Sequence, residues 1–202
     1  MSIKSILFNT GEVQATLDGR KTVTRRVLAE KVMLDKKWGL DREPYLRNGK
    51  WYYDEQTAVD DSRTIELKPP YQPEDTIYIR ETWNQNPLNE YGNESERYIY
   101  KATYDGHAGE VGWHPSIHMP KEAARIWLKV TSVRVERLQD ITREQAEREG
   151  ACDYTSTADG FADIWDSTVK KSDAEQYGWC ANPWVWAISF ERCEKPEEVS
   201  HE

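Results

Sequence analysis

The sequence is short of cysteine, phenylalanine, basic excess and long apolar runs, and most of these shortages close a class of protein. Three cysteines, Cys152, Cys180 and Cys193, are an odd number with no close pairing motif, which argues against a disulfide scaffold and for a reducing compartment. They offer no zinc spacing. The histidines add none, because His114 and His118 are separated by Pro115, which opposes the helix that would align them. The expectation is no metal and no cofactor. No apolar run nears the roughly 20 residues that span a bilayer, and Met1 leads into a short apolar strand without a signal peptide. A soluble, cytoplasmic protein with no membrane partner is expected. The formal charge is −9, which opposes tight, non-specific gripping of long nucleic acid. It leaves room for a local basic pocket holding a nucleoside or a short single-stranded RNA.

What is present suits one globular domain. The chain has 202 residues, 38% hydrophobic and 31% charged, enough to bury a core and too apolar for disorder. Nine tryptophans and eleven tyrosines stand against three phenylalanines. Such amphipathic rings serve a core and its rim, or a few of them stack on bases.

Ile3–Phe8 reads as a strand, and Asn9 with Glu12 makes a capping box for a helix through Leu17, closed by Gly19. Thr22–Leu28 is β-branched and reads as a strand. Residues 29–71 are polar and weakly periodic, with strand candidates at Trp51–Tyr53 and Thr64–Leu67, and read as a surface insertion that forms a hairpin. Thr76–Trp83 and Arg97–Tyr104 follow as strands, then the irregular segment Trp113–Pro120. Arg125–Leu138 is the longest strand signal, with a phase slip at Thr131-Ser132 that suits a bulge or a barrel corner. Thr142 and Gln145 open a second helix that ends at Gly150, Asp159–Val169 reads as a third, and Trp184–Glu191 is the closing strand. Strands dominate without βαβ alternation, so the fold class is α+β, a small, partly open β-barrel with three short helices. The domain covers residues 1–193, and 194–202 form a charged tail.

The chemistry concentrates in Gly19–Arg26, where Arg20, Lys21, Arg25 and Arg26 lie beside Thr22 and Thr24 at a helix-to-strand junction. In a regular strand Lys21 and Thr24 would face opposite ways, so Lys21 belongs to the preceding turn. Alternation in Thr76–Trp83 puts Ile77, Ile79, Glu81 and Trp83 on one face. A buried Glu81 then needs a cation, with Lys21, Arg25 or Arg26 as candidates. Glu149 sits in the last helical turn before Gly150, where the macrodipole disfavours a negative charge.

Four ordered motifs, Gly19-Arg-Lys-Thr-Val-Thr-Arg-Arg26, Ile77-Tyr-Ile-Arg-Glu-Thr-Trp83, Ser116-Ile-His-Met-Pro120 and Asn182-Pro-Trp-Val-Trp186, make the chain resemble the ASCH-domain family, most closely its larger phage- and prophage-encoded members. The resemblance covers nearly everything except 29–71 and the tail. It implies a barrel related to the PUA RNA-binding fold and a link to RNA. A small bacterial member is an amidohydrolase that deacetylates acetylcytidine nucleosides, and its motif lysine, threonine and helix glutamate match Lys21, Thr24 and Glu149 here, the last within Ala146-Glu-Arg-Glu149. The resemblance thus implies Lys21, Thr24 and Glu149 as catalytic. A neutral lysine takes the threonine proton, the hydroxyl attacks the amide carbonyl, and the glutamate orients the lysine or handles the leaving amine. Arg25, Arg26, Glu81, Trp83, Ser116 and His118 are the expected substrate contacts. The alternatives are a non-catalytic module for RNA or a modified nucleotide, a ribonuclease, and a protein-binding adaptor.

Overall fold

The computed structural model describes residues 2–28, 43–58, 61–86, 97–106, 109, 111–151 and 157–197. The protein is α+β, with a mixed five-stranded sheet, two smaller sheets and few helices. The large sheet has the order β1-β6-β9-β10-β2. Its strands are β1 (Ile3–Leu7), β2 (Val23–Val27), β6 (Thr76–Arg80), β9 (Trp127–Arg137) and β10 (Trp184–Cys193). β1 runs parallel to β6, whereas β6 with β9 and β10 with β2 are antiparallel. The chain divides into two compact units, one of residues 1–22, 73–131 and 190–202, the other of 23–72 and 132–189.

In the first unit, helix α1 (Thr10–Leu17) starts at Asn9, whose side-chain oxygen accepts from Glu12 N at 2.9 Å while Asn9 N donates to Glu12 Oε2 at 2.9 Å. Gly19, at φ +76°, ends it in the left-handed conformation that glycine adopts without steric cost. Alternation in β6 buries Ile77 and Ile79 completely. The expected strand Thr76–Trp83 breaks at Glu81-Thr82. Beyond the break, β7 (Trp83–Gln85) pairs with β8 (Tyr98–Tyr100), and Lys101 N donates to Thr82 O. The expected strand Arg97–Tyr104 is correspondingly short, because the chain turns at Lys101–Thr103 and Thr103 N donates to Tyr100 O at 3.1 Å. Trp83, Met119, Ala123, Ala124 and Trp127 form an apolar cluster.

In the second unit, β3 (Tyr45–Arg47), β4 (Lys50–Ala58) and β5 (Asp61–Leu67) form an antiparallel sheet. The part of the expected insertion that is described is therefore a hairpin lengthened by one strand, and it has a buried face. Tyr53 and Leu67 are 1% and 7% exposed, and Trp51 meets Trp186 edge-on at 6.2 Å. Residues 29–42 lie outside the described residues. Helix α2 (Arg143–Arg148) carries the second capping box, Thr142 with Gln145, and Gly150 follows it at φ +94°. Helix α3 (Thr157–Thr168) and the short α4 (Ala174–Tyr177) follow it. Leu138, Ala146, Ala151, Phe161, Trp165 and Val185 form an apolar cluster in this unit. β9 is continuous through Thr131-Ser132, where the phase slip was expected, and the chain passes there from one unit to the other. No helix among the described residues is long and apolar enough to cross a membrane.

Candidate functional site

Among the described residues, eight polar or charged side chains are buried, and five of them are expected site residues: Lys21 (3% exposed), Thr24 (1%), Arg25 (2%), Glu81 (1%) and Glu149 (6%). Burying a charge costs several kcal/mol unless it is paired and hydrogen-bonded, so each needs partners.

In the second unit Arg25 is the hub. Its Nε donates to Glu136 Oε1 at 2.9 Å, Nη1 to Glu149 Oε1 at 3.0 Å and Nη2 to Gln145 Oε1 at 3.1 Å, and Nη2 also pairs with Glu136. The guanidinium lies over the Phe161 ring, 5.7 Å from its centroid. Glu136 in turn accepts from Arg134 Nε at 2.9 Å. Local sequence explains the geometry. Gln145 is the capping-box residue of α2 and accepts from Thr142 N with the same oxygen, while Glu149 caps the other end of that helix. One short helix thus presents two acceptors to one guanidinium.

Strand alternation sends Thr24 and Arg26 to the opposite face of β2 from Arg25. There Arg26 Nη1 donates to Thr24 Oγ1 at 3.1 Å and to the Arg25 carbonyl at 3.0 Å. The phenol of Tyr71, on the same unit, is pushed above its ordinary pKa by burial, against the pull of Arg26. The structure therefore brings Arg25 and Glu149 together, and separates both from the Thr24 hydroxyl by the thickness of the strand.

Lys21 and Glu81 belong to the first unit. Lys21 lies in the turn before β2, as its spacing from Thr24 requires. Its backbone N donates to Ala15 O, and Nζ lies 3.6 Å from Glu12 and 5.4 Å from the Phe8 centroid. Glu12 serves both the capping box of α1 and this buried lysine. Glu81 is buried as the alternation predicts, but its cation corrects the expectation of Lys21, Arg25 or Arg26. Arg125 binds it with two hydrogen bonds, Nε to Oε1 and Nη2 to Oε2, both 2.9 Å. Arg125 also donates to Thr103 Oγ1 at 3.0 Å and lies 4.0 Å over the Tyr100 ring. Burial pushes the Tyr100 phenol up to about 12, with Arg125 opposing and Glu81 assisting.

The three expected rim contacts divide. Trp83 is a core ring, 9% exposed, edge-on to Tyr98 at 5.6 Å and joined to His114 by a backbone bridge. Ser116 and His118 lie in a 3₁₀ turn, Ser116–His118, with His118 at the surface. Arg80 braces this turn through the carbonyls of Ile117 and Met119. Arg125 and Glu136 are the members that sequence reasoning missed. The only hint was that a polar residue flanks or interrupts the apolar alternation of β9.

Among the described residues no group of three or more His, Cys, Asp or Glu side chains is placed to hold a metal ion. Compared with family models, with curated proteins and with solved structures, the chain matches none.

Proposed function

We propose that the chain is an ASCH-type protein with a partly open, PUA-like barrel that acts on a small RNA-derived ligand, as an amidohydrolase removing the acyl group of a modified nucleoside such as acetylcytidine. A mixed sheet with few helices is compatible with that fold. The observation that carries the reading is the burial of the residues the resemblance selects, with Lys21, Thr24 and Glu149 at 3%, 1% and 6% exposure. Polar groups held out of water gain electrostatic leverage over a reacting carbonyl. In the reaction the Thr24 hydroxyl adds to the acyl carbonyl and its proton passes to Lys21. The C–N bond breaks with protonation of the leaving amine, and water then cleaves the Thr24 ester to release the free acid. The Arg26 guanidinium beside Thr24 Oγ1 favours negative charge on the acyl oxygen. Glu149, gripped by Arg25, acts as a fixed negative charge.

A second reading, a binding module without catalysis, draws support from strand parity, since Thr24 and the Arg25–Glu149 pair occupy opposite faces of β2. One assay separates the two: incubation with acetylcytidine and with plain nucleosides, measuring both binding and release of acetate. The hydrolase releases acetate, and Lys21→Ala and Thr24→Ala each abolish the release while keeping the parent circular-dichroism spectrum. Glu149→Gln, which keeps a hydrogen-bond acceptor for Arg25, lowers turnover more than affinity. Binding without acetate release establishes the module instead, and full activity in Lys21→Ala or Thr24→Ala removes the proposed mechanism.

A further inference from the structure

The motif Asn182-Pro-Trp-Val-Trp186 takes no part in that chemistry, and its first tryptophan carries an unexplained feature. Trp184 is 8% exposed, and its Nε1–H is buried without a hydrogen-bond partner among the described residues. A buried donor left unmade costs about 1–3 kcal/mol, so such a group calls for an acceptor. The guanidinium of Arg137 lies over the same indole, 4.2 Å from the ring centroid. Arg137 Nη1 donates to the Asn182 carbonyl at 3.0 Å. That carbonyl is aimed by a left-handed Asn182 (φ 46°), a conformation uncommon outside glycine, and the Asn182 side chain is pinned by Gln139 N at 2.8 Å. Burial pulls the Arg137 pKa below its ordinary value, with Asp140 acting the other way. A buried indole N–H is a cost that one acceptor atom of a ligand offsets, and the cation at its side favours an acceptor that is negatively charged.

We propose that Trp184 and Arg137 form a binding site for a small oxyanion, the phosphate or carboxylate group of a ligand, accepting from Trp184 Nε1–H and lying against the Arg137 guanidinium. A cation on the face of an indole draws electron density from the ring, which sharpens the N–H as a donor to an anion. Backbone hydrogen bonding sets the two residues together: Leu138 N donates to Pro183 O at 3.0 Å, so the end of β9 lies beside the start of β10. Trp83 provides the contrast. Among the described residues its Nε1–H is likewise buried and unpartnered, but its ring packs in an apolar cluster and no cation lies on it. The site lies wholly in the second unit, and it stands or falls independently of the hydrolase reading.

The test is thermal unfolding of the full chain in inorganic phosphate, in acetate and in chloride at equal ionic strength. Phosphate or acetate at roughly 100 times Kd is expected to raise Tm by about 5–11 °C over chloride, and the anion with the larger rise identifies the headgroup. Trp184→Phe, which removes the N–H and keeps a ring, abolishes the rise, whereas Trp83→Phe retains it. Arg137→Gln abolishes it too, and carries the test if Trp184→Phe does not fold. No rise in either anion, or a rise that survives Trp184→Phe or Arg137→Gln, overturns the proposal.

Discussion

At the scale of single residues, the protein buries charge in two different ways. Arg125 and Glu81 form a planar two-bond pair closed by the Tyr100 ring and Thr103. Arg25 instead divides its donors among two glutamates and a glutamine. In the pair, each charge depends on one partner, so Glu81→Gln is expected to be costly. Breaking a buried pair by removing one charge costs about 3–5 kcal/mol. The Arg125 side chain retains 27% exposure, which lets water recover part of the loss and places the expected cost near 3 kcal/mol. Urea unfolding of Glu81→Gln against the parent measures it. A cost below about 1 kcal/mol would show that Arg125 is solvated well enough to need no counter-ion. Burial of Glu81 was legible because a strand repeats every two residues and Ile77 and Ile79 mark the inner face. Its partner was not legible, because alternation names a face and not the strand opposite. The antiparallel register, Thr76 with Lys129 and Tyr78 with Trp127, carries Arg125 to the end of β6 beside Glu81, and no local pattern encodes that register.

At the scale of elements, both capping boxes were legible, since each satisfies helix-end N–H groups with residues three apart in sequence. What the pattern did not disclose is that each box has a second duty. Glu12 faces Lys21, and Gln145 Oε1 serves both Thr142 N and Arg25 Nη2. The same element carries Glu149 at its end, so the capping box orients the whole Arg25 cluster. Thr142→Ala removes only a cap and is expected to cost about 1 kcal/mol. Gln145→Ala also strips an acceptor from a buried guanidinium, which adds roughly 1–2 kcal/mol. Chemical denaturation of the two variants and of the double variant tests this ordering, and equal single costs would mean that the Arg25 bond contributes nothing. The shorter pieces, β7 and the 3₁₀ turns, had no sequence signal because three residues are too few to establish a period, and β8 was legible only as part of the longer strand expected over Arg97–Tyr104. The strands of residues 43–67 were only partly legible. Tyr53 and Leu67 reach a core, but the polar residues between them conceal the alternation.

At the scale of the whole molecule, the net charge of −9 is a poor guide to where the cations are available. The basic turn is the densest cluster in the sequence, yet the fold turns much of it inward. The Arg25 side chain has no exposure and Lys21 has 2%, each facing carboxylates. Arg20 pairs with Asp18 at 3.0 Å on the surface, and Arg26 bends back onto Thr24 and the Arg25 carbonyl. Of the four cations, Arg20 and Arg26 are the ones near enough to the surface to meet a phosphate, so about two phosphates is the reach of this turn. For single strands log K falls with log salt at about −0.7 per phosphate neutralised, which gives a slope of about −1.4. Affinity for a single-stranded RNA is therefore expected to fall only about sevenfold between 50 and 200 mM salt, from a value that is weak to begin with because the long-range field is repulsive. Fluorescence anisotropy of a labelled oligonucleotide across that salt range measures both quantities. Arg26→Ala should flatten the slope by about 0.7 and weaken binding alike for every sequence. Arg25→Ala should lose stability before it loses binding, because it leaves Glu136 and Glu149 facing each other without their shared cation. Nanomolar affinity at 150 mM salt, or a slope steeper than about −3, would require phosphate contacts that the basic turn does not offer. It would favour an RNA-binding surface elsewhere on the chain over the proposed small-substrate hydrolysis.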